Sequence, residues 1–346
     1  MPGSMERLGI VGFPNSGKTT LFNALTGLNA ATAPHAYTTV EPNIGVARVP
    51  DVRLEQIAVI EGSAKVTQAT IELIDLPAWS RAGIGGQFLG RLRDVEALAV
   101  VLREDPLGQA EELLLELTVA DHDVFAKKHE RLVKEAAADK AKAGAVAAIA
   151  EASEVLAGGE ALRLREWSDG ARTAFRDLAP LTLKPVLWVI NVDEETTEAE
   201  NLRASLRSVV PPQDVVVVIS AKLEEEGAQL PEAERAELFA GLGLGEGALA
   251  TMVRATYQSL GLISFYTVGP KESRAWTVRA GALAPEAAGK IHSDLERGFI
   301  RAEVASIDDV IAAGGWDAAK RAGLVRVEGK SYEVAGADVL LIRFSV

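Results

Sequence analysis

The sequence predicts an α/β protein in two parts: a parallel sheet flanked by helices, then a small separate α+β domain. Three observations carry this. A glycine-rich stretch at 12–19 sits between a short apolar strand and an amphipathic helix. Apolar runs at 97–102, 185–190 and 215–219 have the unbroken hydrophobicity of strands buried on both faces. From about residue 263 the texture changes to strand-like stretches and short helices.

Composition narrows the class. The chain has 346 residues, 48% of them hydrophobic and 25% charged, which suits an ordinary globular protein of two or three domains. No apolar run approaches the ~18 residues of a membrane span, and no signal-peptide core is visible. There are no cysteines, so disulfides, thiolate metal sites and cysteine redox control are excluded, as expected of a cytoplasmic protein. The net charge of −13 argues against a generally basic nucleic-acid binder. From residue 264 onward 11 Lys/Arg balance 11 Asp/Glu, so the earlier part carries the acidic excess. Met1-Pro2-Gly3-Ser4, ahead of Met5, reads as a possible vector remnant.

The first element is the strand at 8–11. It runs into Gly12-Phe13-Pro14-Asn15-Ser16-Gly17-Lys18-Thr19, which fits G-x-x-x-x-G-K-[ST]. Glycines let successive backbone N–H groups turn inward around phosphate oxygens, and the helix that follows adds its positive end. Asn15, Ser16, Gly17, Lys18, Thr19 and Thr20 are therefore the phosphate-binding candidates, with Lys18 on the terminal phosphates and the Thr19 hydroxyl on Mg²⁺. The chain is expected to bind a nucleoside triphosphate.

Residues 34–43 lack periodicity and read as a loop. Thr39, in Thr38-Thr39-Val40-Glu41-Pro42-Asn43, is the candidate switch threonine that completes the metal shell. Strands follow at 45–49 and 70–74. The second ends in Asp75, where P-loop NTPases place a carboxylate in the second shell of Mg²⁺. Their usual Asp-x-x-Gly has Ala78 in its last position here, and alanine pays for any positive φ that glycine adopts freely. Residues 108–158 are expected to be helical, with an apolar stripe of Leu117, Val124, Phe125, Leu132 and Ala136 interrupted by Asp121 and Lys128. That pattern suits half of a helical hairpin turning near Gly144.

The strand at 185–190 ends in Asn191-Val192-Asp193-Glu194, and the one at 215–219 in Ser220-Ala221-Lys222. Both stand where such folds read the base, at carboxyl ends of parallel strands. Asn191, Glu194, Ser220, Ala221 and Lys222 are the base-binding candidates. The common guanine reader is Asn-Lys-x-Asp; here Glu194 holds the Asp position, one methylene too long for the paired guanine contact. ATP is thus expected to bind at least as well as GTP.

Together these motifs resemble the YchF family, the Obg-like ATPases. The match includes the glycine-rich loop, Thr39-Val40-Glu41-Pro42-Asn43, Asn191-Val192-Asp193-Glu194 and Ser220-Ala221-Lys222. It is densest in Arg274-Ala275-Trp276-Thr277, Ala287-Ala288-Gly289-Lys290-Ile291-His292 and Gly298-Phe299-Ile300-Arg301-Ala302-Glu303-Val304. The resemblance implies a Ras-like P-loop NTPase domain at 5–107 and 181–262, a helical hairpin insertion at 108–180, and a C-terminal β-grasp (TGS) domain at 263–346. It implies ATP preference, slow hydrolysis with Mg²⁺, and association with the ribosome or its RNA through the helical and TGS domains. Family members carry a hydrophobic residue where many GTPases keep a catalytic glutamine, and Trp79 matches that substitution. The family's glycine is Ala78 here, its switch segment is shorter, and its histidine-containing loop is nearly closed by Arg103-Glu104-Asp105-Pro106. No catalytic residue is assigned; Arg81 and Arg103 are the nearby candidates for charge stabilisation. A catalytically silent nucleotide-sensing adaptor is the alternative.

Overall fold

The computed structural model describes residues 6–28, 42–79, 86–194, 196, 198–241 and 247–345. Thr39, Arg81 and the first five residues lie outside them.

The chain opens with β1 (Arg7–Gly12), buried from Leu8 onward, and turns into α1 (Lys18–Thr26). Gly27, in the left-handed conformation at φ +68°, closes that helix. β2 (Asn43–Arg48) alternates buried and exposed side chains, as an edge strand does. Asp51 caps α2 (Val52–Ile60) by accepting from the N–H groups of Arg53 and Leu54. There follow β3 (Val66–Thr67), β4 (Thr70–Asp75), α3 (Gly86–Arg93) and β5 (Ala97–Leu102), every residue of β5 being buried.

Asp105 and Pro106 start the longest helix, α4 (Pro106–Ala136), by a side-chain cap and a ring that suits the first helical turn. α5 (Ala143–Ala157) returns along it, so the turn of the hairpin falls at 137–142 and Gly144 lies inside the second helix. With α6 (Asp169–Phe175) they enclose their own core of Phe125, Leu132, Ile149, Leu156, Trp167 and Phe175. Phe175 packs edge-on against both Phe125 and Trp167.

The chain then lays down β6 (Val186–Asn191), α7 (Ala199–Arg207), β7 (Val215–Ile219), α8 (Ala221–Ala228), α9 (Glu232–Gly241) and α10 (Ala248–Ser259). Its last part comprises β8 (Leu262–Thr267), β9 (Ser273–Arg279), α11 (Ala284–Ile291), α12 (Ser293–Arg297) and β10 (Phe299–Ser306). It finishes with α13 (Ile307–Ala313), α14 (Trp316–Arg321), β11 (Arg326–Glu328) and β12 (Asp338–Phe344). Residues 331–334 contribute an isolated bridge, Leu283 to Glu333.

Two six-stranded sheets result, ordered β2-β4-β1-β5-β6-β7 and β11-β10-β12-β8-β9-β3. In the first, β1, β5, β6 and β7 are parallel, pairing Gly12 with Val101, Val101 with Val189 and Asn191 with Ile219. That register brings the carboxyl ends of β1, β6 and β7 to one edge, where a doubly wound sheet binds ligands. By contacts the chain divides into two compact units, Arg7–Gly45 with Leu73–Leu249, and Met1–Glu6, Val46–Glu72 with Ala250–Val346. The second unit holds the second sheet, whose core includes Phe265, Val278, Phe299, Val304 and Leu340. Its edge strand β3 comes from the N-terminal third, pairing in parallel with β9 through Val66–Ser273 and Thr67–Arg274.

Candidate functional site

The glycine-rich loop is shaped by its neighbours. A Cβ at Gly12 would lie 2.4 Å from the Val101 carbonyl oxygen, so only glycine lets β1 leave the sheet this tightly. Gly17 has φ +92°, and a Cβ there would come within 2.2 Å of Asn191 Nδ2. Asn15 adopts the left-handed conformation as well, at φ +62°. Asn15 is exposed at the rim, Ser16 is buried, and Thr19 and Thr20 are half-buried at the start of α1.

Lys18 is buried, and its Nζ donates to the Phe13 carbonyl at 3.1 Å across the loop. Burial draws its ammonium down to about 8, against the pull of Asp75. The Thr19 hydroxyl donates to Asp75 Oδ2 at 2.9 Å, joining the loop to the end of β4. Asn43 Nδ2 donates to the same oxygen at 3.3 Å. Burial pushes the Asp75 carboxyl above its ordinary range, partly offset by the hydrogen bonds from Thr19 and Asn43 and by the charge of Lys18.

Two buried oxygens here have no hydrogen-bond partner, Asp75 Oδ1 and Ser16 Oγ. Such orphans are costly unless a ligand satisfies them. A hydroxyl and a carboxylate offering only oxygen fit a hard cation such as Mg²⁺. Among the described residues no group of three or more His, Asp or Glu side chains converges to hold a metal by itself. Mg²⁺ here would therefore need further ligands from phosphate or water, its usual habit.

Asn191 spans the site. Its Nδ2 donates to the Ser16 carbonyl at 2.8 Å, and its Oδ1 accepts from the Ala221 N–H at 3.0 Å. Ser220 caps α8 through the Leu223 N–H. Glu194 and Lys222, both exposed, form an ion pair at 2.9 Å, which Glu226 extends at 3.7 Å. The five base-binding candidates are thus gathered at the ends of β6 and β7.

Trp79 is 2% exposed and lies in the core between Phe13 and Phe88, with ring centroids 6.3 and 5.6 Å away. Its backbone N–H donates to the Gly12 carbonyl at 2.9 Å. Ala78 is absent from the described non-glycine residues with positive φ, so it carries no strain of that kind. Arg103 pairs with Asp193 at 2.7 Å on the surface.

Sequence reasoning missed a buried polar centre at the base of the hairpin. Asp121 has no exposure and accepts from Arg93, the Leu181 N–H, and both the N–H and hydroxyl of Thr182, at 2.7–3.1 Å. Lys184 Nζ donates to the Arg93 carbonyl at 3.0 Å, and burial draws it down to about 8. The only sequence signal was an aspartate inside an apolar stripe.

Fold and loop geometry define a P-loop nucleotide-binding protein of the GTPase class. The 50S ribosome-binding GTPase family matches residues 7–133, and the YchF GTPase C-terminal family, described as a protein of unknown function, matches 262–345. The chain is 36% identical to the "Ribosome-binding ATPase YchF" of Bacillus subtilis and 38% to that of Escherichia coli O157:H7, each comparison covering 98% of this chain and 99% of the relative. The YchF GTPase of Schizosaccharomyces pombe superposes with a TM-score of 0.87 at 27% identity, over 99% of both chains. The chain belongs to the YchF family.

Proposed function

We propose that this protein binds ATP with Mg²⁺ and hydrolyses it slowly, as a nucleotide-dependent switch on the ribosome. The observation that carries the reading is the Thr19–Asp75 hydrogen bond beside the buried Lys18, which joins the phosphate loop to the strand that ends at the metal side. Thr19 and Asp75, together with Thr39, are the residues that would hold Mg²⁺, which when bound would neutralise charge on the phosphate oxygens. Asn15 to Thr20 line the phosphates, and Lys18 supplies the positive charge.

At the base, Glu194 is held by Lys222, which supports adenine over guanine or parity between them. Ribosome association follows from the relatives' names, and we assign it to the helical insertion at 108–180 and the TGS domain at 263–346. The nucleotide domain is then assigned 5–107 with 181–262, although 46–72 and 250–262 fall in the compact unit that holds the second sheet. No described helix is long and apolar enough to cross a membrane; a cytoplasmic location accords with a ribosomal partner.

One observation favours a second reading, a silent adaptor that holds ATP without turnover. Trp79 stands where a water-orienting side chain is common, yet its indole is sealed between Phe13 and Phe88. Single-turnover ATP hydrolysis, with and without ribosomes, separates the two. A slow rate below ~1 s⁻¹ that ribosomes accelerate supports the switch; binding with no detectable turnover under either condition supports the adaptor. Failure of ATP to bind at all overturns both.

A further inference from the structure

Asn43 sits beside the carboxylate on which the metal side depends. Asp75 Oδ2 receives two hydrogen bonds, from the Thr19 hydroxyl at 2.9 Å and the Asn43 amide at 3.3 Å. Oδ1 receives none and is buried. With both donors on one oxygen, the plane of the carboxylate is set and the other oxygen is left available in a fixed direction.

The donor is itself held in place. Asn43 is half-buried and opens β2, and two residues later Gly45 lies flush against α1. A Cβ at Gly45 would come within 2.5 Å of Thr26 Cγ2 and 2.9 Å of Phe22 Cζ, so the strand runs directly on the helix that begins at Lys18 and Thr19. Asn43 and Thr19 therefore reach Asp75 from elements locked to each other. The chemistry of the donor also matters. An amide orients a carboxylate without bringing positive charge, whereas a lysine or arginine at the same place would compete with a divalent cation for it.

We propose that Asn43 is a positioning residue for the metal side of the nucleotide site, holding Asp75 so that its free oxygen serves the hydration shell of Mg²⁺. The inference rests on the Mg²⁺-nucleotide reading above. It adds a specific claim: removing the amide weakens the response to Mg²⁺ and spares the metal-free contacts made by the loop.

The test is a titration of a ribose-labelled fluorescent ATP into the full chain, in EDTA and over a series of Mg²⁺ concentrations. It compares wild type with Asn43→Leu, close in size, and Asn43→Ser, a milder change, with thermal unfolding to establish that each variant is folded. Outer-shell partners of metal ligands typically tune metal affinity by about 10–100-fold. The expected result is a midpoint in Mg²⁺ raised about threefold to tenfold in the folded variants, at or below the low end of that range because Asn43 stands one contact further out than Asp75, with affinity in EDTA within about twofold of wild type. An unchanged Mg²⁺ midpoint in a folded variant would overturn the inference, as would equal losses in EDTA and Mg²⁺, which mark a merely structural contact. A wild-type affinity indifferent to Mg²⁺ would overturn the underlying reading and the inference together.

Discussion

The Asn191 side chain reaches across 175 residues of sequence to hold the Ser16 carbonyl at 2.8 Å, while its other amide atom accepts from the Ala221 N–H at 3.0 Å. It is a strut between the phosphate loop and the loop after β7. Asn191→Ala leaves both buried backbone groups without a partner, which costs about 1–3 kcal/mol. Chemical denaturation should show that loss, and titrations should show ATP and GTP affinity falling together. A change in base preference with unchanged stability would rule out the strut.

Lys18 gives opposite pH dependences to binding and to stability. Its folded-state pKa is drawn from 10.5 to about 8. A bound polyphosphate favours the ammonium, so affinity should be full below about pH 8 and weaken above it, by up to about tenfold per pH unit. The unliganded protein behaves the other way. Between pH 8 and 10.5 the unfolded chain holds the proton that the folded one has released, so stability rises with pH. Lys184, also drawn to about 8, adds to stability in the same direction. Affinity measured from pH 7 to 9.5 that did not fall would contradict the assignment of Lys18.

Lys18→Met follows from the same burial. It removes a charge that the fold desolvates, so the unliganded protein should unfold at the same temperature or higher. Triphosphate binding should be lost. Unchanged ATP affinity by calorimetry would place the phosphates elsewhere.

Asp121→Ala tests the hairpin base. The substitution strips a carboxylate that has no exposure from Thr182 and from Arg93, whose side chain is 19% exposed. Breaking a buried pair from one side costs about 3–5 kcal/mol. A loss under about 1 kcal/mol in denaturant titrations would mean that water enters to replace the carboxylate.

Glu194→Asp should move the ratio of ATP to GTP affinity toward GTP. The shorter carboxylate suits the paired guanine contact and draws away from Lys222, its partner at 2.9 Å. Direct competition between the two nucleotides measures it, and an unaltered ratio would show that the base is read elsewhere.

What the sequence made legible was local. Strand, glycine loop and helix at 8–26 are one continuous segment whose meaning depends on spacing, and they fold as that spacing implies. Asp75 and Asn191 were placed by the strands that end in them. The hairpin was legible from its apolar period, but Asp121 read as an interruption because its partners Arg93 and Thr182 stand 28 and 61 residues away. Trp79 was legible as a substitution; its burial depends on Phe13 and Phe88 meeting it in space. Nor does any pattern within 46–72 show that the segment shares a unit with residues after 250.

That last pairing has a consequence for the order of synthesis. Ser63 bonds the Gly269 carbonyl and the Ser273 hydroxyl, separations of 206 and 210 residues, and β3 has no partner until β9 exists. The segment therefore leaves the ribosome early and waits, with Leu54 and Ile57, which are buried in the finished fold, still bare while the intervening chain is made. Closure of so long a loop is slow relative to local folding. Chains interrupted before residue 273 would carry the bare segment permanently, and such products are natural substrates for chaperones and proteases.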